Sequence, residues 1–262
     1  MISKSIVSVS AIALVLALAG PAGAAAHKTQ AKTPAAAAKA PDPSSVLSPD
    51  AVADQALEIM KKTRLVKVLS DNVPEFDGLM RSRIRTIVAT MPQTEWADQA
   101  RMQSQALVQY YFAVYMPMAS DESIYALMKY DTDNLALYAG QPEVCIGYAV
   151  GNAAFIKVAP AGYIEKVSDL KAAIFESAFK APVHRDFKPD LSDVRTPFIA
   201  QYQKEGFDMK DLSLLGSLTT IPAADACRAY SQFNKTIYDL GPKQGPFVMA
   251  GFTNAAPKVK PN

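Results

Sequence analysis

The stretch VHRDFKPD, residues 183–190, sets a base, an acid and two cations side by side. His184 could give or take a proton, and Asp186 could accept one from a hydroxyl. His184 also limits what else the chain can do. The sequence holds two histidines, and the other, His27, falls in an Ala/Pro/Lys-rich stretch. Any Ser-His-Asp or Cys-His device must therefore use His184. No G-x-S-x-G elbow accompanies it, and the inventory of His and Cys is too thin for a zinc site.

Over His184 to Asp190 the stretch resembles the catalytic loop of the protein kinases, which reads His-Arg-Asp, a hydrophobe, then Lys-Pro and an acid. The resemblance implies a phosphotransferase in which Asp186 accepts the substrate proton and a later Asn holds magnesium. The position for that Asn is Leu191, which cannot bind a metal. No D-F-G follows, no G-x-G-x-x-G precedes, and no V-A-I-K supplies the lysine. The match is read as coincidental, a polar loop between Pro182 and Pro189, and no catalytic residue is assigned.

Three other groupings could bind something. YDTDN, with Asp131, Asp133 and Asn134, faintly resembles the start of an EF-hand loop, but Leu135 and Ala136 stand where a ligand and a glycine are needed. It is read as a helix-capping turn, and no metal or cofactor is expected. Lys61, Lys62, Arg64, Lys67, Arg81, Arg83 and Arg85 form a basic cluster on the first two expected helices. If those helices are antiparallel neighbours, the cluster suits an acidic envelope protein or an anionic envelope polymer. QYYFAVYMPM could line an apolar groove with Tyr110, Tyr111, Tyr115 and Met116, for a lipid tail or a partner helix.

The elements that would position these residues are helical. Ser48, Pro49 and Asp50 form a helix start, followed by Val52, Ala56, Ile59, Thr63, Val66 and Leu69 at three- and four-residue steps. Pro74 opens a second helix with Phe76, Met80, Ile84 and Ile87 on one side, and Thr94 can cap a third that stops before Pro117. Ser120 starts a fourth, Pro142 a short one carrying Cys145, Ser168 another that Pro182 ends, and Thr196-Pro197 one that closes at Gly206. A last pair contains Cys227 and turns at Gly241. Strand signals are sparse, YAVGNAAFIKVAP being the best. The expected fold is an all-α bundle of about 8–10 helices in one domain, residues 47–253.

The ends indicate the compartment. Lys4, the uncharged run Ile6 to Gly20 and the small residues of PAGAAA have the three-part layout of a secretory signal peptide over residues 1–26. Residues 27–46 and 254–262 lack large apolar side chains and read as flexible tails. The chain has two cysteines, and in an oxidising compartment Cys145 and Cys227 are expected to pair. With 27 basic and 25 acidic residues the net charge is +2, and the tails hold several of the lysines. That is far from the basic surface a nucleic-acid partner requires.

The expectation is an exported, non-enzymatic helical protein of the bacterial periplasm, without a membrane span after cleavage, that binds another envelope component. A protein partner, through an inhibitor or accessory role, fits best. A carrier of an apolar ligand such as a lipid, or a cell-wall hydrolase with converging carboxylates, are the alternatives. Cleavage after Ala24 or Ala26 is predicted, so the intact mass of the exported chain should correspond to one of those two N-termini. An uncut mass in the membrane fraction would mean that the run Ile6 to Gly20 serves as an anchor.

Overall fold

The computed structural model describes residues 48–150, 155 and 158–258, so the expected signal peptide and residues 27–46 of the first tail lie outside the described residues. Among those described, eleven α-helices succeed one another with no strand. They are α1 (Pro49–Met60), α2 (Arg64–Asn72), α3 (Phe76–Thr90), α4 (Trp96–Tyr115), α5 (Asp121–Tyr138) and α6 (Pro142–Val150). They continue with α7 (Tyr163–Lys180), α8 (Ser192–Lys204), α9 (Met209–Leu214), α10 (Ala223–Asp239) and α11 (Gly241–Ala255). None is long and apolar enough to cross a membrane. Of the strand candidate, Tyr148–Val150 close α6 and Phe155 is helical, while residues 151–154, 156 and 157 lie outside the described set.

Local chemistry explains most boundaries. The Ser48 hydroxyl accepts from the Ala51 amide at 3.2 Å, with Pro49 in the first turn. The first expected helix is divided at Lys61–Thr63, where Thr63 turns extended and its hydroxyl donates to the Met60 carbonyl at 2.8 Å. The break rotates the apolar stripe. Ala53 and Leu57 enter the core from α1, whereas Ile59 stays 64 % exposed.

Helix α5 starts at the expected cap, the Ser120 hydroxyl accepting from the Ser123 amide. YDTDN, expected as a capping turn, lies inside that helix. Asp131 and Asn134 face inward, and Asn134 donates to the Tyr130 carbonyl at 2.7 Å. Ser168, expected as a cap, is likewise buried inside α7, which begins one and a half turns earlier. Helix α8 starts ahead of Thr196-Pro197 because Asp190 accepts from the Ser192 amide at 3.0 Å, leaving Pro197 within the helix. Helix α11 reaches Ala255 and so takes in the first two residues of the expected C-terminal tail.

The buried side chains form two clusters. One gathers α1 to α4, with Leu57, Val66, Leu69, Phe76 and Leu107 at its centre. The other gathers α5 to α11 around Ile124, Leu135, Ile174, Tyr202 and Ile237. Helix α7 serves both, giving Ala172 and Phe175 to the first and Val167, Ile174 and Ala178 to the second. Its Phe175 ring meets Phe112 and Tyr115 of α4 edge-on, with centroids 6.1 Å apart in each case. Close approach of α11 depends on glycine. A Cβ at Gly251 would lie 2.3 Å from Val194 of α8 and 3.1 Å from Phe187, and one at Gly245 would lie 2.6 Å from the Ile237 carbonyl.

Cys145 of α6 and Cys227 of α10 are bonded, with Cα atoms 5.7 Å apart, and both are buried. The pair spans a sequence separation of 82 residues. Cross-linking a loop of that length stabilises by roughly 4–5 kcal/mol in the chain-entropy account. Cys145→Ser is expected to lower the melting temperature of the oxidised protein by about 10 °C, measured by circular dichroism. An unchanged melting temperature would show that packing alone holds α6 to α10.

Candidate functional site

The kinase-like loop is divided between solvent and scaffold. His184 and Asp186 point outward, with side chains 88 % and 89 % exposed, and their Nε2 and Oδ1 atoms lie 2.8 Å apart. A carboxylate so open has no walls to orient a substrate hydroxyl or to exclude water. Arg185 points the other way and is 5 % exposed. It donates to the carbonyls of Pro117 at 2.7 Å and Ala119 at 2.9 Å, and pairs with Asp121 at the start of α5. The Val183 amide adds a bond to the Met118 carbonyl at 2.8 Å, and Phe187 packs on Phe247. Arg185 therefore holds the corner between α4 and α5.

The basic cluster is distributed among carboxylates of several helices. Lys61 meets Asp77 at 2.6 Å and Glu58 at 3.4 Å, and Lys67 meets Asp71 at 2.9 Å. Arg64 grips Glu176 of α7 with two bonds of 3.0 and 2.9 Å. Arg81 and Arg85 reach from α3 to Asp54 and Asp50 of α1 at 2.7 and 3.5 Å. Arg83 is buried and donates to the Gln103 carbonyl of α4 at 2.9 Å, while Lys62 is exposed. α1 and α3 are thus the neighbours, and the arginines of α3 meet the acids of α1.

The expected apolar groove is occupied by its own side chains. Tyr111 is buried, donates to Glu75 at 3.1 Å and lies against Phe76, with Tyr110 edge-on to it at 5.1 Å. Tyr115 packs on Phe179 at 4.7 Å. Met116 lines a cavity, together with Met128 and Met249 on the apolar side and Asp131, Tyr230, Asn234 and Thr253 on the polar side. The cavity measures about 30 Å³, room for a water molecule or two and far short of an acyl chain.

Asp131 is the titratable group with the most unusual surroundings. It is 5 % exposed and accepts a hydrogen bond from the Tyr148 hydroxyl of α6. Tyr163 and Lys171 approach from α7 and Tyr230 from α10. Loss of water pushes the Asp131 carboxyl up to about 7, against the opposing pull of the Tyr148 bond and the Lys171 charge. Burial also brings the Lys171 ammonium down to about 8, although Asp131 favours its charge. Burial dominates in both groups, and each is driven toward its neutral form. The Tyr148, Tyr163 and Tyr230 hydroxyls are pushed well above their ordinary range for the same reason.

The centre therefore gathers an acid and an amine whose charged forms burial disfavours. The sequence contained a signal for it. Asp131 continues the stripe Ile124, Leu127, Met128 and Leu135, and Lys171 sits among Val167, Ile174, Phe175 and Ala178. A charged residue at an apolar position of the helical period marks a buried ion. Among the described residues no three His, Cys, Asp or Glu side chains converge to hold a metal ion.

If the loop is scaffold, Arg185→Ala should lower stability by roughly 2–4 kcal/mol, since it strands two carbonyls and an acid. His184→Ala and Asp186→Asn should each stay within about 0.5 kcal/mol of the parent. Urea denaturation of the three variants decides this, and equal losses would refute the division of the loop. Set against known proteins, the chain matches no family model, no curated protein and no solved structure.

Proposed function

We propose that the protein is an exported helical component of a bacterial cell envelope that acts by binding another envelope protein and not by catalysis. The supporting observation is that the side chains with the strongest chemistry are engaged with one another. Arg185 is bonded to Pro117, Ala119 and Asp121, six of the seven clustered cations meet carboxylates or a carbonyl, and Asp131 is enclosed with Tyr148. The signal-peptide layout of residues 1–26 supports export.

An inhibitor or accessory role suits a rigid body that presents helix surfaces. Ile59 of α1 and Met102 of α4, 64 % and 54 % exposed, are apolar side chains that such a contact would cover. Native mass spectrometry of the chain purified from its own periplasm tests the proposal. A second protein at fixed stoichiometry, lost when Ile59→Glu and Met102→Glu are combined, is the expected result. A bare chain, or extra mass matching a lipid, would overturn it.

A further inference from the structure

Four helices converge on Asp131. Its own helix α5 adds Tyr130, α6 brings Tyr148, α7 brings Tyr163 and Lys171, and α10 brings Tyr230. The neighbouring cavity wall from Phe112 of α4, from Met116 just beyond that helix and from Met249 and Thr253 of α11 is uncharged. Ionised Asp131 can thus draw on one bond from Tyr148 and the charge of Lys171, itself 3 % exposed. Further solvation can enter the space of about 30 Å³ that Asp131 lines. Methionines around such a space can repack with little strain, because their chains are unbranched and flexible.

We propose that this centre is a proton-operated switch: with Asp131 protonated the junction of α5, α6, α7 and α10 is closed, and release of that proton draws water into the cavity and loosens α7. Helix α7 is a suitable lever, since it completes both hydrophobic clusters and carries Lys171 between them. Loosening it transmits a single ionisation to both halves of the molecule. The sense of the effect follows from linkage. Between the ordinary carboxylate range and about 7, the folded chain keeps a proton that the unfolded chain has lost. Stability therefore falls as pH rises through that window, by up to about tenfold in the unfolding constant per pH unit. Above about 8 Lys171 gives the opposite slope, because there the unfolded chain holds the extra proton.

Carbon-13 NMR of the Asp carboxyls between pH 4 and 9, beside hydrogen-exchange protection factors for α7, tests the switch. The resonance missing in Asp131→Asn should titrate near neutrality, and α7 protection should fall several-fold with the same midpoint. Tyr148→Phe removes a bond that favours the carboxylate, so it should move both midpoints to higher pH; if Asp131→Asn does not fold, that displacement identifies the resonance. An Asp131 that titrates in the ordinary carboxylate range, one that does not titrate at all, or α7 protection that is flat across the transition would each overturn the proposal.

Discussion

Helix α7 has to complete two hydrophobic cores at once, and the interior arrangement follows from that constraint. Ala172 and Phe175 close the cluster built by α1 to α4, while Val167, Ile174 and Ala178 close the one built by α5 to α11. A helix buried on both sides leaves little room for charge, yet Lys171 lies among these residues and is 3 % exposed. Asp131 of α5 faces it and Tyr148 of α6 bonds to that acid, while burial drives both the acid and the amine toward their neutral forms. Such a pair is a poor source of net stability, because desolvating two ions offsets most of their attraction. It acts on register instead. Any slip of α7 would carry Lys171 out of this polar centre and against Ile and Phe side chains, at a desolvation cost.

The two halves are fastened by different physics. In the C-terminal half, the disulfide between α6 and α10 and the glycine contacts of α11 with α8 and α10 act at close range and tolerate almost no displacement. In the N-terminal half, α1 puts few side chains into the core, Ala53 and Leu57 being its buried ones, and is joined to α3 by Arg81–Asp54 and Arg85–Asp50. Both bridges are substantially exposed, so each contributes at most about 1 kcal/mol and weakens with salt. The bidentate grip of Arg64 on Glu176 is the stronger link, and it too leads to α7. Local opening should therefore begin at α1 and stop at α7, where apolar burial takes over.

Much of the fold was legible because helix signals are local. The caps at Ser48 and Ser120, the stop before Pro117 and the turn at Gly241 each depend on one or two residues, and each appears where the sequence places it. The Cys145–Cys227 pairing followed from counting. The misplaced boundaries lie at Lys61–Thr63, Ser168 and Thr196-Pro197. Thr63 breaks the first helix from within by bonding to Met60, Gly162 in left-handed backbone precedes the earlier start of α7, and Asp190, outside the presumed helix, accepts from the Ser192 amide. The interior centre was missed for a related reason. Read locally, YDTDN offers three residues that favour caps and turns. Read on the helical period, Asp131 falls on the apolar side of α5, and only α6, α7 and α10 reveal what it meets there.

The same distinction accounts for the stretch that first suggested catalysis. From Val183 to Lys188 the chain is not helical, and its side chains alternate, with 183, 185 and 187 partly covered and 184, 186 and 188 exposed. Successive side chains in extended backbone point to opposite sides. Alternation therefore separates Arg185 from the histidine and the acid beside it. The arginine faces the α4–α5 corner and fixes it, whereas His184 and Asp186 face water. A motif read as a string treats His-Arg-Asp as one device. The backbone divides it into an anchor and a surface pair, and the anchor alone is required for the fold around it.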